Sequence, residues 1–341
     1  MSKNSNFRER ALSRFVAYTL FATTLLPAST LLVTGALAAP IAGVQQETAG
    51  WVGEQVPGVY RMKLGDFRIT VLSDGTAPRD LPKIMSNPDE VRAAFDASHQ
   101  SLPIELSINA FLIDTGAHRI LVDAGAGELF GAPSGQLLSN MRAAGYQPAD
   151  IDTILLTHIH GDHSGGLSVG GKRVFENATV YVDQRDPAYW LDAKTEADAP
   201  ANRKLTFTQS HQTVDPYITA GKLKTFDGAT ELFAGVRTVP EHGHTRGLTG
   251  YMIESKGQRL LLWGDVIHAA EVQFRDPSVT VDYDVDPKQA AASREKILSD
   301  ASDKGYLVGA AHISFPGLGH VRKEDKGYSW VPVPYSVVFS H

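Results

Sequence analysis

The chain has 341 residues, 43% of them hydrophobic, with 32 Lys and Arg against 38 Asp and Glu and a formal net charge of −6. That length and apolar fraction suit a globular protein with a full core, as one large domain or two modest ones, and lie far from a disordered composition. Cysteine is absent, which removes a disulfide scaffold, a thiolate metal site and a Cys nucleophile, and the acidic balance argues against a nucleic-acid partner.

The first segment reads as a leader. Lys3, Arg8, Arg10 and Arg14 precede an apolar run from Phe15 to Ala38, and Ala36-Leu37-Ala38 forms a small-x-small exit before Ala39-Pro40. This pattern predicts a secretory signal over residues 1–38. The alternative is an uncleaved anchor long enough to span a bilayer, which Pro27 and the Ala-x-Ala site suit less well. The segment holds four Lys/Arg against Glu9, or +3, so the remaining chain carries −9. An exported protein, periplasmic or secreted, follows, with no stable membrane insertion after cleavage and no pull toward anionic surfaces. Residues 39–57 show no clear period and read as an N-terminal arm.

From Val59 the pattern turns to short strands. VYRMKL, Gly65-Asp66 and FRITVLSDG predict a hairpin with a two-residue turn. A helical piece follows around Asp89 to Ser98, and then INAFLIDT and ILVDAGAG make a second hairpin across Gly116–Arg119. Leu137, Leu138, Met141 and Ala144 recur at helical spacing, with Gly145 closing that helix. TILLT runs straight into His158; later strands lie near 179–183 and 222–226, and GYMIESKGQRLLLWGD is a hairpin turning at Lys256-Gly257. DPKQAAASREKILSDAS predicts a helix over about 286–303, opened by Asp286 and Pro287, and the last strand, YLVGAAH, ends on His312. No repeat or low-complexity linker divides 58–341, so hairpins interleaved with helices predict an α/β (α+β) fold of two packed sheets covered by helices, in one domain.

The chemistry is concentrated in Thr157-His-Ile-His-Gly-Asp-His-Ser-Gly-Gly166. In extended backbone His158 and His160 face the same side, Gly161 permits a sharp turn, and Asp162 and His163 open the next helix. Three imidazoles and a carboxylate within six residues suit zinc or a similar first-row ion. His244 in GHT, Asp265 after LLLW and His312 after YLVGAA each follow a strand-like segment, as His158 does. Strand ends along one sheet edge are where distant residues meet, and seven ligands suit two ions sharing a carboxylate better than one tetrahedral ion.

THIHGDHSGG, together with GHTRG, WGD and AHIS, resembles the metallo-β-lactamase superfamily of four-layer αββα hydrolases. Within it, YRMKLGDFRITVLSDGT, LVDAGAGELFG, AAGYQPADID, GYLVGAAHISFPGLGH and VPVPYSVV are similar to the methyl parathion hydrolase group, over about residues 58–338. The resemblance implies that His158, His160 and His244 hold one divalent ion, that Asp162, His163 and His312 hold the other, and that Asp265 bridges them. It implies zinc first, with Mn, Co or Fe as alternatives, a homodimer, and Asp123 of LVDAG orienting a ligand histidine. Arg246 stands in GHTRG where relatives commonly carry proline; His242 has no assigned role, and His268 reads as structural or as a support to the ligands.

Water shared by two divalent ions is acidified to around neutral pH, and the ions offset charge developing on a phosphoryl or carbonyl oxygen. Asp162 and Asp265 leave such a centre net positive, which favours an anionic transition state. The resemblance also places Phe130, Trp190 and Phe207 around the site, the last two flanking a stretch, DAKTEADAPANRK, that reads as an exposed flap. An aromatic rim, no evident general acid and no cationic clamp fit a neutral aryl dialkyl phosphotriester, with a lactone or carboxylic ester as the alternative substrate. A β-lactamase, a nuclease, a flavin-linked redox protein and a non-catalytic binding protein fit less well, the last because no ligand is missing.

Overall fold

The computed structural model describes residues 55–337; the expected signal and most of the expected arm lie outside the described residues. β1 (Val59–Leu64) and β2 (Phe67–Arg79) form the predicted hairpin, Leu64 pairing with Phe67. β2 does not stop at Gly75 but slips register there against β3 (Ile104–Asp114) and runs on to Arg79. Helices α1 (Leu81–Ile84) and α2 (Pro88–Ala97) fill the connection. β4 (Arg119–Val122), α3 (Leu137–Ala143) and β5 (Thr153–Leu155) follow as expected. Next come α4 (Gly161–Ser164), a small hairpin of β6 (Ser168–Val169) and β7 (Lys172–Arg173), and β8 (Thr179–Asp183). Three helices, α5 (Arg185–Trp190), α6 (Ala193–Asp198) and α7 (Ala201–Thr219), lead to β9 (Leu223–Phe226). The strands order as β1-β2-β3-β4-β5-β8-β9, antiparallel up to β4 and parallel beyond.

The second sheet is built from the rest of the chain. Its strands are β10 (Glu231–Phe233), β11 (Val236–Pro240), β12 (Thr249–Ser255), β13 (Gln258–Leu262), β14 (Leu307–Gly309), β15 (Leu318–Lys323) and β16 (Tyr328–Pro332), adjacent in that order. Only β13 and β14 pair in parallel, because α8 (Ala270–Gln273) and α9 (Pro287–Lys304) cross between them. α9 starts as predicted, the Asp286 carboxylate accepting from Gln289 N at 3.0 Å.

Strand periodicity sorts side chains into layers. In β3, Phe111 and Ile113 face inward to meet Val236, Tyr251, Ile253 and Leu260 of the second sheet, while Ala110 and Leu112 face outward under α3 and α7. On the far side, Leu261, Val308 and Val321 pack against Ile297, Leu298 and Ala301 of α9. The result is the predicted four-layer αββα sandwich.

The flap expected at 192–204 is instead helical, being α6 and the start of α7. α7 buries Phe207, Ser210, Val214 and Tyr217 toward the first sheet. Pro216 within it removes a donor from the Gln212 carbonyl, which accepts from Ser168 Oγ at 2.7 Å instead.

Candidate metal centre

The predicted ligands meet along one edge of the sandwich. His158 and His160 follow β5, and Asp162 and His163 lie in α4, a single turn. His244 sits between β11 and β12, Asp265 just past β13 and His312 just past β14. Two glycines permit this convergence. Gly243 has φ +136° and presses on the Ala290 backbone of α9. Gly264 has φ +53°, and a Cβ there would lie 2.8 Å from Thr157 Cβ.

Asp265 is the hub. Its Oδ1 lies 2.9 Å from His163 Nε2 and 3.1 Å from His312 Nε2, and its Oδ2 lies 3.2 Å from His244 Nε2 and 3.7 Å from His158 Nε2. His160 Nδ1 stands 3.1 Å from His244 Nε2. Asp162 approaches His163 and His312 at 3.8 and 3.6 Å. Donor atoms of His158, His160, His244 and Asp265 form one compact group, and those of Asp162, His163 and His312 form another. A third group adds His268, whose Nε2 is 3.1 Å from Asp265 Oδ2, so this residue is an eighth member of the cluster.

A metal fits this arrangement on the evidence of its unpartnered atoms. His158 Nε2, His163 Nε2 and Asp265 Oδ1 are buried with no hydrogen-bond partner, although they crowd together. Buried polar atoms left bare in this way cost stability unless something positive lies between them. Three of the outward nitrogens are occupied, whereas Nδ1 of His268 is buried without a hydrogen-bond partner. His163 Nδ1 contacts Asp123 Oδ2 at 2.8 Å, His244 Nδ1 contacts Asp284 Oδ1 at 2.8 Å, and His312 Nδ1 contacts the Ser107 carbonyl at 2.8 Å. Each bond puts the proton on Nδ1 and turns a Nε2 lone pair inward. Asp123 also accepts from Thr157 N and Oγ1, holding the strand end from which His158 projects, and adopts φ +59° to do so.

The electrostatics divide the ligands: His158 and His160 are shifted down, whereas His163, His244 and His312, which face the Asp265 carboxylate, are shifted up despite their burial. Burial and the neighbouring imidazoles hold His158 and His160 well below the usual histidine range, as neutral ligands must be. Burial also opposes charge on His244, but Asp265 and Asp284 more than offset it and raise that histidine to about 9. Asp265 is driven well below the ordinary carboxylate range, since His163 and His312 outweigh its burial.

A pocket of about 240 Å³ opens on the cluster, lined by His160, Asp162, Asp265 and His312 and by Phe130 and Trp190. The Trp190 and His160 rings meet edge-on with centroids 5.2 Å apart. Phe207 does not line this pocket: it is fully buried behind Trp190, ring to ring at 4.9 Å, because α7 turns it toward the sheet. Two other expectations change. Arg79 and Arg203 border the pocket, so cationic groups are present; Arg79 lies over the Phe130 ring at 5.2 Å, and Arg203 donates to the Asp284 carbonyl. Tyr283 lines it too, its ring 5.7 Å from that of His244, and supplies a hydroxyl proton donor. Arg246 is exposed and stacks over Tyr189 at 5.0 Å, away from the ligands.

Sequence reasoning missed Asp284, Asp186 and Tyr283. The Asp186 carboxylate accepts from Ile159 N and Gly247 N, inside both ligand-bearing loops. Nothing in VDYDVDPKQ or DQRDPAYW sets these acids apart from surface ones; only the fold does.

Comparison with known proteins agrees. The family model for the metallo-beta-lactamase superfamily matches residues 103–312. A crystal structure of hydrolase AbOPH, described as in the beta lactamase superfamily, is 36% identical, with a TM-score of 0.79 over 83% of this chain and 100% of that one. The dizinc quorum-quenching lactonase AidC, in complex with a product, is 27% identical, with a TM-score of 0.78 over 83% of this chain and 100% of that one. The beta-lactamase-like protein 2 homolog of Drosophila melanogaster is 30% identical over 163 residues, 47% of this chain and 46% of that protein. The chain thus spans less than half the length of the curated relatives it matches. A histidine and aspartate cluster on a four-layer sandwich, matched by a family model over more than half the chain, shows that this protein belongs to the metallo-β-lactamase superfamily.

Proposed function

We propose that this metal-dependent hydrolase cleaves neutral aryl dialkyl phosphotriesters of the methyl parathion type. His158, His160 and His244 would hold one divalent ion, Asp162, His163 and His312 a second, and Asp265 would lie between them; zinc is the expected metal. Such a pair, when bound, supplies Lewis acidity: an acidified water near neutral pH and neutralisation of charge on the phosphoryl oxygen.

The chain's own residues do the rest. Asp123, Asp284 and the Ser107 carbonyl fix three imidazoles with their Nε2 atoms inward, so the ligands are set before any metal arrives. Phe130 and Trp190 give the leaving aryl ring an apolar wall and keep water from it. Arg79 and Arg203 offer donors to oxygens that gain charge. The observation that carries this reading is the aromatic wall standing directly beside His160 and Asp265.

A lactone or carboxylic ester is the second reading, supported by Tyr283. An alkoxide is a poor leaving group and needs a proton, which a pocket hydroxyl can give, whereas a nitrophenoxide does not. The likeness to a dizinc lactonase supports the same reading. The deciding experiment measures kcat/KM on a nitrophenyl dialkyl phosphotriester and on an acyl-homoserine lactone with zinc-loaded protein. The first reading requires the phosphotriester to be turned over and its rate to vanish on chelation. Lactone turnover alone would overturn it in favour of the second.

A further inference from the structure

The buried carboxylate of Asp186 joins two loops that come from different sheets. Its Oδ2 accepts from Ile159 N at 2.8 Å, and its Oδ1 accepts from Gly247 N at 2.7 Å. Ile159 stands between His158 and His160; Gly247 lies in the same loop as His244, between β11 and β12. The approach at Gly247 is close, since a Cβ there would lie 2.9 Å from Asp186 N and from Oδ1. Asp186 has no exposure, and its helix, α5, ends on Trp190, whose ring touches His160.

The bonds made by Asp186 bear unequally on the two ligand groups. His158, His160 and His244 all hang on the two clasped loops. The other group is held elsewhere: His163 by Asp123 and by Ala124 N, which donates to its carbonyl, and His312 by Ser107. A two-toothed acceptor on a packed helix fixes the distance between the loops, whereas separate bonds to each would not.

We propose that Asp186 is a positioning residue that sets the spacing of His158 and His160 against His244, and so the metal affinity of that three-histidine group alone. The proposal rests on the two-ion reading above. Asn at 186 keeps the shape but turns an amide NH₂ toward one of the two N–H donors, so one loop is released.

The test titrates metal-free protein with Zn²⁺ against a chelating dye, and with Co²⁺ followed by its visible absorption. Asp186→Asn should weaken one of two sites by about tenfold or more, the usual effect of removing a partner that orients ligands, and leave the other within about twofold. Gly247→Ala, whose methyl would meet Asp186 N and Oδ1 and so push the same loop away while leaving both acceptor oxygens in place, should weaken the same site. Asp186→Glu, which keeps both acceptor oxygens, should restore part of the affinity. Equal weakening of both sites, or unchanged affinities with a lower melting temperature of the metal-free protein, would overturn the proposal and leave Asp186 a fold-holding residue. If Asp186→Asn does not fold, Gly247→Ala decides on the same criteria. A wild type that binds one ion would reject the two-ion reading instead; unchanged affinity of that ion in both variants would then reject the role of Asp186 as well.

Discussion

Nδ1 of His244 lies 2.8 Å from Oδ1 of Asp284, 40 residues further along the chain. Asp284 is fully buried, its other oxygen accepts from Val281 N at 3.1 Å, and His244 holds its carboxyl below the usual range. The pair fixes both the tautomer and the tilt of the imidazole. Asp284→Ala should therefore lower metal affinity by about 10- to 100-fold, measured by chelator competition, while saturating zinc recovers much of the activity. Unchanged affinity would mean that packing alone sets the ring.

How much of this was visible beforehand varied with how local each feature is. His158, His160, Asp162 and His163 occupy six residues, so a single turn suffices to bring them together and the sequence displays them openly. His244, Asp265 and His312 were legible because each follows an apolar strand. Asp284 and Asp186 were not, because their role depends on which loop lies opposite. α7 was hidden for another reason: Ser210 interrupts its buried face, Pro216 suggests a break, and Leu205 and Ile218 lie exposed on the outside. The apolar stripe that marks a helix is thus blurred, and the stretch at 192–204 that precedes Phe207 reads as a flap.

Asp265 approaches histidines of both groups, so its loss should differ in kind from the loss of any one histidine. Asp265→Ala should cut turnover of phosphotriesters and lactones alike, by at least about 10³-fold, and reduce bound zinc on elemental analysis. Chelated wild type should lose activity equally and regain it on zinc addition; the variant should not regain it. His160→Ala should behave similarly on both substrates. Activity surviving in either variant would contradict a shared centre.

Trp190 is fully buried against Phe207 yet forms part of the pocket wall. Truncating it to Ala costs about 3–5 kcal/mol of stability as a large-to-small core change, which would confuse a substrate comparison. Trp190→Phe keeps most of the volume. It should lower kcat/KM for the aryl phosphotriester relative to the lactone by about two- to tenfold, the worth of one aromatic contact. Equal changes on both would remove Trp190 from the leaving-group pocket.

Tyr283 keeps its proton at any working pH. Burial and the nearby Asp265 and Asp162 carboxylates hold its hydroxyl well above the ordinary tyrosine range. Tyr283→Phe should reduce kcat on a lactone, whose alkoxide must be protonated, by about 10²-fold. Turnover of a nitrophenyl phosphotriester should stay within about twofold, because that leaving group departs as an anion. Equal losses would assign Tyr283 to packing against His244 and His268 instead.

Glu241 poses a problem of stability rather than catalysis. It is fully buried beside Gly250 on β12, where a Cβ would meet its Oε1, and neither carboxyl oxygen has a hydrogen-bond partner. Burial alone pushes its pKa well above the ordinary value of 4.5, so the folded protein holds a proton that the unfolded chain releases. The sign follows from linkage. Below about pH 4.5 both states are protonated and Glu241 carries no pH-dependent penalty. As pH rises beyond that, only the unfolded chain ionises, and stability falls by up to about 1.4 kcal/mol per unit until the folded-state pKa is reached. Glu241→Gln cannot ionise and escapes this decline, while keeping an equally unpartnered polar group in place. Urea unfolding of metal-free protein at pH 5, 6, 7 and 8 should therefore show the variant gaining on the wild type step by step. A gap that stays constant across that range would mean that the buried carboxyl is already charged in the folded state and has a partner, since a bare carboxylate at this depth could not persist.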